Sequence, residues 1–444
     1  MNRRAVLARR GLDLISGEGG NLAHSARLLI VMAISRGALF VAFALLLRRM
    51  GSFEFGVFFL GYNTLAFVSQ FADFGIGQTF VRHIAFHNGP RPEFAAYLYW
   101  LFFLLKLASA GVVAVAALVA SPLAARFLHL EDQRRMLEIA IAGASAVILF
   151  DFVNCVFQSS HLFGRYELNL FLKNALFLIA VIVAIFWRPH WLTAVALVAC
   201  LVAINSALAA LAYPFLQRRW QARAGGFGDF RPDLFRYSGW LTIATVCFAL
   251  YRRMDVYYLS HFRSRAEVGT YSVALVLVEP IAMISPALFT VFLPKLSADL
   301  TKERVARFVG LVARLCVLVL VGCGLYAVAV RLAFPLLGAE YGAALPLTML
   351  LLVGTVFLIG YNLLSVVFLA SDRPEVFGGI ALAMALFSAL ANWFIVPMYG
   401  AYGAAAVYGL SQLGGIALAT VFIAKWLRRG IFLSTAAGEV AVPG

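Results

Sequence analysis

Residues 27–77 read RLLIVMAISRGALFVAFALLLRRMGSFEFGVFFLGYNTLAFVSQFADFGIG, two apolar runs (27–47 and 55–77) parted by Arg48-Arg49-Met50-Gly51-Ser52. Each run has the length of one membrane crossing, about 20 residues at a helical rise of about 1.5 Å. Neither alternates with the period of two that marks a barrel strand. Hydrocarbon admits only helices or closed barrels, because every backbone polar group must be satisfied within the protein. The stretch therefore reads as a pair of helices crossing a bilayer.

The same pattern recurs along the chain. Further apolar segments fall at 94–119, 137–160, 168–187, 191–215, 235–260, 268–293, 306–332, 343–370, 377–396 and 401–426, which makes twelve. Of the 444 residues 63% are hydrophobic and 13% charged, and the mean hydropathy is +0.90. A soluble domain averages about 45–50% apolar and about 25% charged. So much apolar surface cannot be enclosed by so little polar surface in water. That excludes a soluble enzyme and a disordered chain, and caps the crossings at about fourteen. The predicted fold is an all-α polytopic membrane protein with about twelve transmembrane helices.

The net charge of +15 does not indicate nucleic acid, since the Lys and Arg sit between apolar runs instead of forming an exposed strip. It indicates topology. The N-terminus, the even-to-odd loops and the C-terminal tail carry 22 Lys/Arg, counting Arg165 and Lys173 among them; the opposite side carries 9, and 5 lie inside segments. By the positive-inside rule both termini are cytoplasmic. The N-terminal stretch has Arg-rich flanks without an uninterrupted apolar region, so the first segment is expected to stay uncleaved; residues 4–16 read as a short interfacial stub. Cys155, Cys200, Cys247, Cys316 and Cys323 all fall in apolar segments, with no C-x-x-C pair or His/Cys spacing, so neither a disulfide framework nor a metal site is expected.

The longest polar connector, 216–233, divides the chain into two six-helix halves, 1–222 and 223–444. Glu54-Phe55-Gly56-Val57-Phe58 matches Glu267-Val268-Gly269-Thr270-Tyr271 at an offset of 213, at the start of segments 2 and 8. A glutamate there suits the positive end of the helix dipole, and a glycine permits close helix contact. Repeats of six helices have the same orientation and are related by an axis along the membrane normal.

Ionisable residues at mid-span cost about 2.5–3.5 kcal/mol on insertion scales and mark function by default. Nine are candidates: Arg36, Asp73, Lys106, Asp151, Arg252, Arg253, Asp255, Glu279 and Arg314. Six of the nine lie on segments 1, 2, 7 and 8, which the repeat makes equivalent, so a charged cleft between the halves is expected. Two readings stand for several of them. Arg252 and Asp255, three apart, either neutralise each other or face the cleft. Asp73 caps locally, pairs with Arg82, or couples an ion. Glu279, before Pro280, binds a cation or proton or pairs with Arg253. Arg314 is read as snorkelling, and Lys106 as either snorkelling or facing the cavity. Asn63, Asn154, Asn174 and Asn205 read as interhelical glue, and Ala401, Ala405 and Gly409 as a close-packing face. His83 and His87 lack a third ligand. No nucleophile–base set, phosphate loop or catalytic carboxylate pair stands out.

Residues 45–85 carry Gly51, Glu54-Phe55-Gly56, Asp73-Phe74-Gly75 and Val81-Arg82. Residues 251–280 carry an Asp and Glu267-Val268-Gly269-x-Tyr271, followed by Leu293-Pro294-Lys295-Leu296-Ser297, Gly338-Ala339-Glu340-Tyr341 and Tyr402-Gly403-Ala404-Ala405-Ala406. In this order the motifs resemble the polysaccharide flippases, O-antigen unit type, of the multidrug/oligosaccharidyl-lipid/polysaccharide exporter superfamily. Twelve segments instead of fourteen depart from its lipid II flippase branch. The resemblance implies a MATE-like architecture, two six-helix bundles around a central cavity, in a bacterial inner membrane. It implies a transporter, not an enzyme, moving an oligosaccharide on undecaprenyl pyrophosphate between leaflets. Polysaccharide polymerase and export machinery are the implied partners, beside membrane lipids. Arg36, Arg252, Arg253 and Lys106 are then the candidates for the anionic head, and Asp73, Glu279 and Asp255 for H+ or Na+ coupling, with no other cofactor. The rival readings are a multidrug antiporter of the same superfamily, for which an acidic cavity is expected, and a membrane glycosyltransferase or polymerase, for which a large catalytic loop is expected.

Overall fold

Gly51 (φ 73°) and Gly400 (φ 55°) hold positive-φ backbone, a conformation glycine adopts without the clash a Cβ would bring. At these residues two long helices, Arg3–Asp73 and Pro374–Arg429, bend and each supplies two crossings. Gly51 separates α1 (3–50) from α2 (52–73), and Gly400 separates α11 (374–399) from α12 (401–429). Between them run α3 (Pro92–Phe127), α4 (Arg134–Ser159), α5 (Phe163–Phe186), α6 (Ala194–Trp220) and α7 (Pro232–Phe262). The series continues with α8 in two pieces (Arg265–Ala282 and Ile284–Ser297), α9 (Lys302–Ala333) and α10 (Ala344–Ala370).

The computed structural model describes the backbone at residues 3–73, 75–77, 80, 84, 92–160, 162–220, 232–297, 300–333, 342–371 and 373–429. Side chains are described within these stretches from Ile30 onward, except 92–96, 216–220, 232–238, 241, 290, 294–295, 333 and 429. Arg82, His83, His87, the motif at 338–341 and residues 221–231 of the linker lie outside the described residues. Among those described, nine helices are long and apolar enough to cross a membrane, two of them the bent double spans. α7 falls outside that set; Arg252, Arg253 and Asp255 interrupt its apolar run. Eleven crossings and α7 reproduce the twelve segments of the sequence, and the chain is an all-α multi-pass membrane protein.

The break in α8 has a local cause. Pro286 lacks an N–H, and its ring meets the carbonyl four residues back, that of Ala282, where the first piece ends. The start of α8 is well capped: Ser264 accepts from the Glu267 N–H at 3.2 Å, and Glu267 Oε1 accepts the Ala401 N–H at 2.7 Å. The repeat glutamate thus seals the bend at Gly400.

Helices α1–α6 pack on one another, as do α7–α12, and the two groups meet through α1 and α2 against α7 and α8. Asparagines glue the first group. Asn169 Nδ2 donates to Asn154 Oδ1 at 2.8 Å, and Asn174 Nδ2 donates to Ser35 Oγ at 3.0 Å. In the second group Ala401 and Ala405 are buried, and a Cβ on Gly354 would stand 3.1 Å from the Gly409 Cα. Between the groups the two repeat glycines face each other. A Cβ on Gly56 would lie 2.8 Å from the Gly269 nitrogen, and one on Gly269 would lie 1.8 Å from the Ser52 carbonyl oxygen. The sequence repeat therefore sits where the halves touch, at the end holding Gly51, Ser264 and Gly400, here called the turn face.

Candidate functional site

The mid-helix charges converge from both halves. Arg36 on α1 reaches Glu279 on α8 at 4.0 Å, and their side chains remain 45% and 38% exposed. Glu279 also lies within electrostatic reach of Arg252 and Arg253 on α7. On the other flank Lys173 on α5 is in reach of Arg36 and of Asp151 on α4, with its ammonium 4.9 Å from the centre of the Phe150 ring. Arg36, Asp151 and Arg252 are exposed although they lie mid-helix and face charges of other helices. They are charged side chains left open on helices of both halves. Counted along each helix from the turn face, Arg252 lies about 18 Å deep, Lys173 about 20 Å, Arg36 and Glu279 about 22 Å, and Asp151 about 26 Å. Five charges from five helices thus fall within a band of about 8 Å, all deep inside a hydrocarbon layer about 30 Å thick.

The other sequence candidates sit at the edges of this group. Lys106 is fully buried and its ammonium contacts the Asp73 carboxylate, an ion pair between α3 and α2. Asp73 Oδ2 also accepts the Gly77 N–H at 3.2 Å. Lys106 therefore neither snorkels nor stands open in the cleft, although Asp151 is within its electrostatic reach. Asp255 is buried. It accepts the Tyr271 hydroxyl at 2.5 Å and the Val256 N–H at 2.8 Å, so it turns to α8 instead of closing an ion pair with Arg252. Arg252 is exposed and Arg253 partly so. Arg314 stands more than three turns into α9 and is exposed, apart from the cluster.

Lys173 corrects the sequence reading most. Counted there with the loop charges, it lies ten residues into α5 and belongs to the central group, so the interior Lys/Arg number six. Its signal lies in the spacing: Asn169 and Lys173, four apart, fall on one helical face. Asp151, noted in the sequence without a role, stands beside it.

A family model described as "Polysaccharide biosynthesis protein" matches residues 22–298. No curated relative matches the chain. Among solved structures, a multidrug resistance MATE family transporter in an inward-facing conformation aligns with a TM-score of 0.66 at 15% identity, over 92% of this chain and 100% of its own. The lipid II flippase MurJ in an inward closed conformation aligns with a TM-score of 0.66 at 12% identity, over 90% and 87%. A MOP superfamily transporter from Pyrococcus furiosus, described as having a binding pocket of reverse polarity, aligns with a TM-score of 0.62 at 14% identity, over 92% and 95%. These likenesses show that the chain shares the fold of those three structures. With the family model spanning well over half its length, the chain belongs to the polysaccharide biosynthesis protein family.

Proposed function

We propose that the chain is a flippase that carries an undecaprenyl-pyrophosphate-linked oligosaccharide, a polysaccharide repeat unit, from the cytoplasmic to the periplasmic leaflet of the bacterial inner membrane by alternating access. The observation that carries this is the charge left open at the central level. Lys106 and Asp73 neutralise each other, and Asp255 is turned away onto Tyr271. What remains open or partly open among these charges is Arg36, Lys173, Arg252 and Arg253 against Asp151 and Glu279, an excess of two positive charges. A diphosphate diester carries two negative charges. In a cavity poorer in water than bulk, guanidinium forks matched to phosphate oxygens bind such a head and orient it. A cation-exporting drug pump gains nothing from that excess, which disfavours the antiporter reading. The family's place in polysaccharide synthesis and the fold shared with a lipid II flippase support a lipid-linked substrate.

Glu279 is the carboxylate best placed to couple an ion. It is open and touches Arg36, so a proton or sodium ion taken up there weakens its hold on the phosphate-binding arginine. Asp73 and Asp255, closed by Lys106 and Tyr271, are placed for it less well. The positive-inside bias puts both termini in the cytoplasm, with the turn face periplasmic.

The test is surface polysaccharide in cells whose only copy is Arg36→Gln or Arg253→Gln. Loss of polymer with undiminished membrane protein is the expected result. Normal polymer in both variants refutes the cavity assignment.

A further inference from the structure

The turn face joins the halves through polar contacts of another kind. Arg265, first residue of α8, donates from Nη1 to Asp132 Oδ2 at 2.7 Å and from Nη2 to Asp132 Oδ1 at 2.5 Å. Nη2 also donates to the His129 carbonyl at 2.9 Å. Asp132 lies in the short turn between α3 and α4, so this two-pronged pair ties the first half to the second. Beside it Ser260 Oγ donates to the Leu128 carbonyl at 3.4 Å. His261 Nδ1 meets the Phe127 carbonyl at 2.5 Å, and the His261 ring stacks on Phe127 at 4.3 Å. His129 holds φ at 52°, a strained value for a residue with a Cβ, kept where the surroundings fix it. Here it presents its carbonyl to Arg265.

We infer that this cluster is a clasp: Arg265 and Asp132 hold the turn face shut, and their release opens the central cleft to that side. Two features separate a clasp from a permanent staple. The first is place. The pair lies about 20 Å along the helices from Glu279, at the edge of the contact between the groups, where the backbones of Gly56 and Gly269 meet. Separation of the halves at this face must part Arg265 from Asp132. The second is strength. The two side chains are 25% and 54% exposed, so water can replace each partner and the pair contributes modestly. A pair with one end fully buried, such as Lys106 (1% exposed) with Asp73 (23%), strands a charge when parted and suits a fixed joint. A half-wet bidentate pair is directional when made and inexpensive to break, as a cycle of opening and closing requires.

The experiment places spin labels at Trp187 and Tyr399, exposed at the turn-face ends of α5 and α11, with the native cysteines replaced, and reads their distance by pulsed EPR in lipid nanodiscs. The unaltered clasp should give one main distance population. Asp132→Asn and Arg265→Gln should each raise a longer population about fivefold, the range of a modest coupling. The charge-exchanged double variant, Asp132→Arg with Arg265→Asp, should return the distribution to that of the parent. Distributions unchanged in both single variants, or a double variant no closer to the parent than the singles, overturn the inference. If a single variant fails to fold, the double variant alone decides, since only a working exchanged pair preserves the parent distribution. No lipid substrate enters the measurement, so its outcome is independent of the cargo proposed above.

Discussion

Replacing Gly269 by alanine tests how the halves meet. The added methyl would stand 1.8 Å from the Ser52 carbonyl oxygen and 2.7 Å from its carbon, while an ordinary carbon–oxygen contact is about 3.3 Å. The obstacle is backbone on both sides, so no rotamer relieves it. The start of α2 must withdraw from α8 by about 1.5 Å. Overpacking of this kind costs about 1–3 kcal/mol, and the size of the clash places Gly269→Ala at the upper end. At Gly56 the nearest atom is the Arg265 carbonyl oxygen at 2.6 Å, so Gly56→Ala demands a smaller shift and a smaller loss. Gly322, with nothing within 4 Å of its Cβ position, serves as control, and alanine there gains helix propensity. Apparent melting temperature in detergent, followed by gel filtration of heated samples, should fall in the order Gly322→Ala, Gly56→Ala, Gly269→Ala. If Gly269→Ala melts with the control, the two glycines do not form the contact described and the repeat has lost its structural meaning.

Three further outcomes follow from the site. Lys173→Gln should reduce transport as severely as Arg36→Gln without loss of protein, measured as surface polymer per membrane-bound copy; wild-type polymer would place Lys173 outside the cleft. Asp73→Asn strands the buried Lys106 and should cost about 3–5 kcal/mol, seen as a lower melting temperature, whereas adding Lys106→Met should restore much of the loss. Glu279→Gln frees Arg36 from its carboxylate and should tighten binding of a short-chain diphosphate lipid in isothermal titration while slowing turnover, and weaker binding would show that Glu279 contacts the cargo instead.

The helices were legible because membrane solvation imposes one rule on every residue between two interfaces, and apolar length alone reports it. The bends were legible in part: Gly51 follows Arg48-Arg49, and the repeat at Glu54 and Glu267 located the contact between halves from an offset. The partners of the charges were not. Sequence spacing favours local partners, so it offers Asp73 a local cap or Arg82; the cap is present in the Gly77 N–H, but the contact with Lys106 on the next helix has no signature in the spacing. The same bias offered Asp255 to Arg252, three residues away, while Tyr271 across the α7–α8 turn takes it. Lys173 was lost for a different reason. It lies near the start of an apolar run whose first turns are polar (Arg165, Glu167, Asn169), and a charge there looks like loop until the neighbouring helices show what it faces. Which side chains share a level follows from helix lengths and bends together, and no single segment carries that.

The central claim is that the cluster of Arg36, Lys173, Arg252 and Arg253 moves a diphosphate-linked glycolipid. The most direct measurement reconstitutes the protein in liposomes loaded with a fluorescent undecaprenyl-pyrophosphate oligosaccharide and follows its arrival in the outer leaflet by enzymatic capture. The same run includes a monophosphate analogue and the Arg36→Gln variant. Rapid transfer of the diphosphate lipid, slower transfer of the monophosphate, and neither above background with Arg36→Gln are the expected results. Equal transfer of both lipids by both proteins would contradict it.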